Sequence, residues 1–245
     1  LPAVVIKPDG EDSWLSNLQF TDPGSLTSEE VIEKVRQAGV VGMGGAAFPA
    51  HVKMSPPPEK PIRTLLFNGV ECEPYLTSDH RMMLEEPERV LQGVSLLQYV
   101  YGAERVVIGI EANKPDAIAL LQKQCANTPV EVLPLQVKYP QGAEKQLITA
   151  ATGREVPSGG LPMDVGVAVH NVSTAAAVAD AVMLGRPLIE RICTVTGPGI
   201  KEPKNLRVRI GMPLSHLVEV CGGLVEDPGK IILGGPMMGF TQVGF

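Results

Sequence analysis

Short apolar strands alternate with helical segments over residues 64–135, and this alternation leaves few folds open to the chain. The predicted strands are 64–67, 105–110 and 130–135, and the predicted helices are 87–101 and 114–124, the second capped by Asn113. Alternation of this kind is typical of a parallel sheet with helices on both faces. The sequence therefore predicts an α/β fold with a doubly wound, Rossmann-like sheet.

The flanking segments extend this pattern. Thr27-Ser28-Glu29-Glu30 is a capping box that begins a helix ended by Gly39, and a strand at 165–169 is followed by a helix at 173–184. After residue 190, short strands surround one helix at 213–220, which is typical of a small α+β unit of β-grasp type. We therefore expect a lead-in at 1–24, a Rossmann-like domain at 25–190 and a β-grasp domain at 191–245.

Residues 39–53 form a glycine-rich loop that ends with a lysine. Gly42, Gly44 and Gly45 lie close together, and Lys53 follows shortly after them. Glycine permits positive φ, and successive exposed N–H groups form a concave anion site to which a lysine adds charge. A dinucleotide-binding fingerprint follows a strand, whereas these glycines follow a helix. Phosphate binding is therefore favoured over an ordinary NAD-binding turn.

Three other loops carry polar side chains where a doubly wound sheet brings loops together. They hold Asn68, Glu71 and Glu73; Tyr139, Gly142 and Glu144; and His170, Asn171 and Thr174. The two glutamates of the first loop could be surface charges, the paired carboxylates of a glycoside hydrolase, or acceptors for ribose or ribityl hydroxyls. No aromatic sugar cleft accompanies them, and their i, i+2 spacing aims both the same way in an extended segment. The hydroxyl-acceptor interpretation is therefore favoured.

The composition argues against several classes of function. A net charge of −6 and an aromatic content of 4% argue against nucleic-acid binding, and no apolar run approaches the ~20 residues of a transmembrane helix. The four cysteines are scattered without a Cys-x-x-Cys pair, which indicates buried cysteines in a reducing compartment and no metal site. Motifs of serine hydrolases, zinc proteases and P-loop enzymes are absent from the sequence. The start at Leu1, without a methionine, is typical of an excised segment.

Four segments, in this order along the chain, match the pattern of a known family. They are Gly42-Met43-Gly44-Gly45-Ala46-Ala47-Phe48-Pro49 with Lys53, Asn68-Gly69-Val70-Glu71-Cys72-Glu73-Pro74-Tyr75, Tyr139-Pro140-Gln141-Gly142-Ala143-Glu144-Lys145-Gln146, and Ile189-Glu190-Arg191. Over nearly its whole length the chain resembles the RnfC family, the C subunits of the Rnf (Rsx) ion-translocating ferredoxin:NAD oxidoreductase. More distantly it is similar to the flavin-binding, NADH-oxidising subunit of respiratory complex I. The resemblance implies a Rossmann-like FMN domain followed by a soluble-ligand-binding (SLBB-like) β-grasp domain.

The resemblance also implies roles for individual residues. FMN would be held by Lys53, Asn68, His170, Asn171 and Thr174, while Phe48 would stack on NADH, Glu73 and Glu144 would lie near the nucleotide, and Tyr139 and Gly142 would close the pocket. The predicted cofactor-binding set also includes Gly42, Gly44, Gly45 and Glu71, and it contains no catalytic nucleophile and no metal ligand. Three positions depart from the family pattern: Ala47 replaces a glycine, and Val70 and His170 replace an acid and an asparagine of the complex I relative.

The resemblance implies an FMN-dependent oxidoreductase subunit that transfers electrons between NADH and an acceptor. It would be the soluble, nucleotide-facing part of a translocase complex on the cytoplasmic side of the bacterial inner membrane. Its partners would be the other Rnf subunits and, through them, ferredoxin; neither nucleic-acid binding nor direct membrane insertion is expected. An N-terminal barrel-like domain and two [4Fe-4S] clusters would belong to regions beyond this sequence. Two alternatives stay open, a non-catalytic scaffold with a degenerate flavin pocket and a cobalamin reductase of a bacterial microcompartment.

Overall fold

The computed structural model describes residues 4–11, 13–15, 18, 20–225 and 228–244. The expected 1–24 lead-in therefore lies partly outside the described residues. Its described part contains no helix or strand before a 3₁₀ turn at Pro23–Ser25. Thr21 N donates a hydrogen bond of 2.8 Å to Met183 O, so the end of the lead-in rests on the Rossmann-like unit.

The centre of the molecule is a four-stranded parallel sheet. Its strands are β1 (Thr64–Gly69), β2 (Arg105–Glu111), β3 (Val130–Leu135) and β4 (Val167–Asn171), arranged in the order β3-β2-β1-β4. The predicted doubly wound parallel sheet is confirmed. Because β2 and β3 lie on one side of β1 and β4 lies on the other, the strand order reverses between β1 and β4. Loops that leave the carboxyl ends of strands diverge at such a reversal and leave a crevice for ligands.

Helices cover both faces of this sheet. They are α1 (Ser28–Gln37), α2 (Ala50–Lys53), α3 (Ser78–Glu85), α4 (Pro87–Tyr101), α5 (Pro115–Cys125), α6 (Glu144–Thr152) and α7 (Val172–Leu184). Leu65 and Phe67 of β1 belong to the larger hydrophobic cluster, which contains residues of α1, α4, α5 and α7. Leu66 points to the other face and packs in a smaller cluster with Leu147 and Ile148 of α6. The alternation of side chains along β1 therefore separates two cores.

Helices α4 and α7 form the closest helix pair of the larger layer. A Cβ atom built on Gly93 of α4 would overlap the carbonyl group of Ala175 in α7. The backbones can therefore approach only because residue 93 has no side chain. The alanines that follow in α7, among them Ala176 and Ala179, are almost completely buried and extend this close packing.

Several element boundaries differ from those predicted. The capping box is confirmed, since Thr27 Oγ1 accepts from Glu30 N and Thr27 N donates to Glu30 Oε2. Asn113 does not cap α5: the N-cap is Lys114, without a side-chain cap bond, and Asn113 Oδ1 instead accepts from Lys114 Nζ at 3.4 Å. Helix α3 is not among the predicted helices. Strand β4 begins and ends two residues later than predicted, so it includes His170 and Asn171.

The chain from residue 190 onward forms a small α+β unit. It consists of the antiparallel pair β5 (Glu190–Val195) and β6 (Lys204–Arg209), helix α8 (Leu214–Val220), and the hairpin β7 (Ile231–Leu233) and β8 (Phe240–Gln242). Among the described helices, none combines the length and the apolar character needed to cross a lipid bilayer.

Candidate functional site

The predicted loops meet at the strand reversal between β1 and β4. Asn68 and Asn171 are paired in register near the carboxyl ends of these strands. Asn68 Nδ2 donates to Gly142 O at 2.9 Å, and Asn68 Oδ1 accepts from Val70 N at 3.0 Å. Gly142 approaches so closely that an added Cβ would lie 2.9 Å from Val70 O. The Asn68 side chain thus ties the loop after β1 to the loop before α6.

The glycine-rich loop is fixed to the same place from the other side. Gly42 N donates to Phe48 O at 2.8 Å and closes the base of the loop. Met43 N donates to Thr174 Oγ1 at 2.9 Å, which attaches the loop to the first turn of α7. A Cβ on Gly44 would lie 3.5 Å from Asn171 Cβ. The predicted convergence of these loops on one crevice is therefore present in the structure.

The tip of the glycine-rich loop presents free backbone amides. Residues 44–48 are exposed, and within the described part of the chain none of their N–H groups donates a hydrogen bond of ordinary geometry. Gly45 has φ of 126° and Ala47 has φ of 50°, so left-handed residues interrupt the run. Consecutive amides with such alternation form a nest for an anion. Ala47 holds this conformation at a cost of roughly 1–2 kcal/mol, because its Cβ approaches the following carbonyl.

Lys53, at the end of the short helix that follows this loop, forms an ion pair with Glu144. Lys53 Nζ donates to Glu144 Oε1 and to Val169 O, both at 2.9 Å, and the lysine side chain is one third exposed. The lysine charge therefore lies between the end of α2, the start of α6 and strand β4. Phe48, whose carbonyl oxygen closes the base of the loop, has a half-exposed side chain, so a flat ring is available to a ligand.

His170 does not face this crevice, which corrects its prediction as a flavin contact. Its ring is buried, and its Nε2 lies 2.9 Å from the hydroxyl of Tyr101, which in turn donates to Lys53 O at 2.8 Å. The reason is the length of β4: His170 continues the strand and follows the phase of Ala168, which faces the larger core. Burial lowers the pKa of His170 to about 3.

Replacing His170 with glutamine is expected to reduce the loss of stability in acid. The folded pKa, about 3, lies below the ordinary value of 6.5, so the unfolded chain binds the extra proton and stability falls as the pH drops through this window. Between pH 7.5 and pH 5 this one group should cost the wild-type chain about 2 kcal/mol, a loss that the glutamine variant should lack. Urea unfolding at pH 7.5 and pH 5 measures the difference. Substitution of the exposed His216 by glutamine is the control, and an equal change there would contradict the assignment.

Glu71 and Glu73 point in different directions, so the expectation that both are aimed at one ligand is wrong. The carboxylate of Glu71 accepts from Asp79 N at 2.8 Å and from His80 N at 3.0 Å, and it thereby caps the start of α3. Burial is the main cause of a raised pKa at Glu71. The carboxylate of Glu73 points instead to the C-terminal unit, where it accepts from Met237 N at 3.0 Å and Met238 N at 2.7 Å.

Asp79 is a site residue that the sequence patterns did not indicate. Its two oxygens accept from Asn171 Nδ2 and from Ser173 Oγ, both at 2.6 Å. Asn171 Oδ1 in turn accepts from Ser173 N at 2.8 Å and Thr174 N at 3.3 Å, as the N-cap of α7. Desolvation raises the pKa of Asp79. The available signal was Thr77-Ser78-Asp79, residues typical of a helix start.

Two further features border the crevice. Arg191 of β5 reaches the glycine-rich loop, where its Nη2 lies 3.4 Å from Met43 O. On the other side, a groove of about 410 Å³ is lined in part by Glu73, Tyr75 and Tyr139. Desolvation and the nearby Glu73 carboxylate raise the pKa of Tyr139. Over the described residues, no three His, Cys, Asp or Glu side chains are grouped as a metal site would require.

Comparison with known protein families gives two matches that follow the two units. Residues 35–180 match the family described as the Nuo51 FMN-binding domain, and residues 192–241 match the SLBB domain. The first match covers more than half of the chain. These matches agree with the division between the parallel sheet and the small α+β unit.

Curated proteins with high sequence identity to this chain belong to the predicted family. The chain is 51% identical over 241 residues to the C subunit of the proton-translocating ferredoxin:NAD(+) oxidoreductase complex of Clostridium ljungdahlii, with 98% of this chain and 53% of the relative covered. It is 48% identical over 242 residues to the C subunit of the Na(+)-translocating ferredoxin:NAD(+) oxidoreductase complex of Acetobacterium woodii, with 98% and 55% covered. The chain thus spans about half the length of these relatives, and the resemblance to RnfC proteins is confirmed.

A solved structure shares the fold at lower sequence similarity. A crystal structure of an NAD+-reducing [NiFe]-hydrogenase in the H2-reduced state contains a chain that matches with a TM-score of 0.73 and 22% identity. The match covers 86% of this chain and 42% of the hydrogenase chain. At this identity the likeness concerns the fold alone.

Proposed function

The chain belongs to the family of the Nuo51 FMN-binding domain, and from this premise we propose that it binds FMN and transfers electrons between NADH and an acceptor. It would act as the nucleotide-facing module of a membrane-bound, ion-translocating ferredoxin:NAD oxidoreductase complex, the kind of complex for which its relatives are named.

The observation that carries this proposal is the run of exposed amides at residues 44–48 beside the strand reversal, none of which has a backbone acceptor among the described residues. A terminal phosphate on such a nest would gain several N–H donors without any rearrangement of the loop. The loop is attached to α7 through Thr174 and lies against Asn171, so the phosphate position would be rigidly linked to the sheet. A site of this kind would suit the terminal phosphate of a flavin mononucleotide.

The rest of the pocket would be built by the residues around this nest. Lys53 would supply a positive charge. Asn68 would contact the flavin at the point where its side chain joins two loops. Tyr139 and Gly142 would line the side of the pocket away from α7. Phe48, whose side chain is half exposed, would stack on NADH. When bound, the flavin supplies the redox chemistry, because it accepts a hydride and passes electrons on singly. The protein would hold the flavin and NADH in place and limit the access of water to them.

We also propose the domain boundaries and partners that follow from the family. The Rossmann-like domain would span 25–190 and the SLBB-like domain 191–245. Other subunits of the complex would hold this module at the cytoplasmic face of the inner membrane, and ferredoxin would exchange electrons with it through those subunits. Two [4Fe-4S] clusters would belong to a region beyond residue 245.

Anaerobic reconstitution with FMN tests the proposal. The protein should take up about one FMN per chain, and addition of NADH should bleach the flavin absorbance. Failure to take up FMN would overturn the proposal. Uptake without bleaching would favour a second candidate, a scaffold with a degenerate pocket, which is supported by the orientation of His170 away from the crevice.

Replacing Lys53 with alanine is expected to weaken FMN binding at least about tenfold, or roughly 1.4 kcal/mol, because the positive charge that the family resemblance assigns to FMN binding is lost. Folding should change little, since a partly exposed ion pair with Glu144 contributes about 0–1 kcal/mol. Fluorescence titration of FMN measures the affinity. Lys145 is adjacent to Glu144 and donates to Pro157 O, away from the nest, so its alanine variant controls for net charge. Equal losses in both variants would mean that Lys53 has no specific role.

A further inference from the structure

The turn between β7 and β8 is hydrogen-bonded to the side chain of Glu73. This turn, residues 234–239, has the sequence Gly-Gly-Pro-Met-Met-Gly. Met237 N donates to Glu73 Oε2 at 3.0 Å, and Met238 N donates to Glu73 Oε1 at 2.7 Å. Each carboxylate oxygen therefore has its own backbone donor. Charge-assisted hydrogen bonds of this kind fix both the place and the plane of a carboxylate.

Gly235 shows that the turn is fitted to this carboxylate. A Cβ built on Gly235 would overlap Glu73 Oε2 and the Glu73 carboxyl carbon. Gly235 is not among the glycines with positive φ, so its backbone could be adopted by alanine. A methyl group at position 235 would therefore displace the Glu73 carboxylate, which is the end of a flexible side chain, and the turn itself could keep its backbone conformation.

The turn binds Glu73 through its backbone N–H groups, and its apolar side chains are exposed to solvent. The side chains of Met237 and Met238 are exposed, whereas their amides point to the carboxylate. Glu73 follows β1 in the same loop that leaves Asn68, and it lines the groove shared with Tyr75 and Tyr139. The 234–239 turn of the C-terminal unit thus fixes the orientation of the Glu73 carboxylate, which lies at the border of the candidate site.

We propose that the 234–239 turn positions Glu73 for the nicotinamide nucleotide, which makes the C-terminal unit a working part of the nucleotide site. This inference rests on the proposed function. Each Glu73 oxygen accepts one backbone amide and retains a lone pair for the carboxamide or a ribose hydroxyl of the nucleotide. A carboxylate held in advance loses less conformational freedom when the nucleotide binds, so the turn should improve nucleotide affinity.

Gly235→Ala is the direct test, with Gly229→Ala as the matched control, because a Cβ on Gly229 meets nothing within 4 Å and its φ is not positive. In FMN-loaded protein, Gly235→Ala should raise KM for NADH about tenfold, which equals about 1.4 kcal/mol. Its kcat and FMN affinity should stay within about twofold of the wild type, the signature of lost binding that the ground state and the transition state share equally. The control should match the wild type throughout.

A double-mutant cycle separates positioning from general damage. If Gly235→Ala acts through Glu73, it should have no further effect on KM in a Glu73→Ala background, whereas independent effects would multiply. The same cycle on the midpoint of urea unfolding, without cofactor, should show coupling between positions 73 and 235. Glu73→Gln provides a second route, since its amide nitrogen would oppose one backbone donor, and it should raise KM to a similar extent.

The outcomes distinguish the two proposals. Normal flavin bleaching with an unchanged KM in Gly235→Ala would overturn the positioning role and leave the proposed function intact. Multiplicative effects of Gly235→Ala and Glu73→Ala would also overturn it. Failure of the wild-type chain to take up FMN would overturn the proposed function and, with it, the role of the turn in nucleotide binding.

Discussion

Replacing Gly93 with alanine is expected to lower the free energy of unfolding by about 3 kcal/mol, the upper range for overpacking in a core. The new Cβ would overlap the carbonyl carbon and oxygen of Ala175, which are backbone atoms of α7. Helix propensity alone predicts the opposite sign, since alanine in a helix interior is favoured over glycine by roughly 0.5–1 kcal/mol. The steric overlap should outweigh the gain in helix propensity, because neither helix backbone can move without disturbing the core between them.

Urea unfolding of the two helix variants checks this expectation. Ser95→Ala, in the same helix but on its exposed side, should leave the midpoint nearly unchanged. Adding Ala175→Gly to the Gly93 variant should not restore stability, because the overlap is with the main chain of residue 175 and not with its methyl group. Wild-type stability of Gly93→Ala would mean that α4 and α7 lie farther apart. Since α7 begins with the residues that hold the glycine-rich loop, the destabilised variant should also bind FMN more weakly.

Asp79→Ala is expected to lower the free energy of unfolding by about 3 kcal/mol, because two hydrogen bonds to a charged group, each worth about 1.5–3 kcal/mol, are lost. Asn171 Nδ2 and Ser173 Oγ would both lose their acceptor. Asp79→Asn should retain both contacts, with its oxygen facing Asn171 and its NH2 group donating to Ser173 Oγ. It should therefore stay within about 1 kcal/mol of the wild type.

The pH dependence gives an independent check on Asp79. Its folded pKa lies above the ordinary value of 3.8, so the folded chain binds the proton more tightly and stability falls as the pH rises from 3.8 through the raised pKa. The asparagine variant lacks this loss, and its stability relative to the wild type should improve between pH 4 and pH 7. Urea unfolding at both pH values measures the trend. A trend of opposite sign would contradict the placement of a desolvated carboxylate at this position.

The central sheet and the meeting of its loops could be predicted from the sequence for good physical reasons. Apolar strands separated by helices have few ways to pair, and the carboxyl ends of parallel strands share one edge of the sheet. The predicted range 130–135 for β3 is that of the observed strand, and Asn68, Gly142 and the glycine-rich loop meet at the strand reversal.

The orientation of individual side chains was harder to predict. The sequence pattern places His170 after the end of β4, on the ligand side, but the strand continues through it, and each added residue reverses the face that a side chain occupies. The direction of the Glu71 side chain could not be predicted without recognising α3, because Glu71 accepts hydrogen bonds from the backbone amides at the start of that helix. The contact of Glu73 with Met237 joins residues 164 positions apart, which no local pattern of spacing can reveal.

The Tyr101 hydroxyl has one proton, and that proton determines the state of a neighbouring ring. Because it is donated to Lys53 O, the hydroxyl oxygen can only accept from His170, so the imidazole must carry its hydrogen on Nε2 and leave Nδ1 bare. Nitrogen-15 NMR distinguishes these tautomers directly. Any movement of α2 that withdrew the Lys53 carbonyl would free the phenol to donate to the ring instead, and the tautomer would reverse. A buried histidine thus serves as a spectroscopic reporter of the position of the lysine at the candidate site.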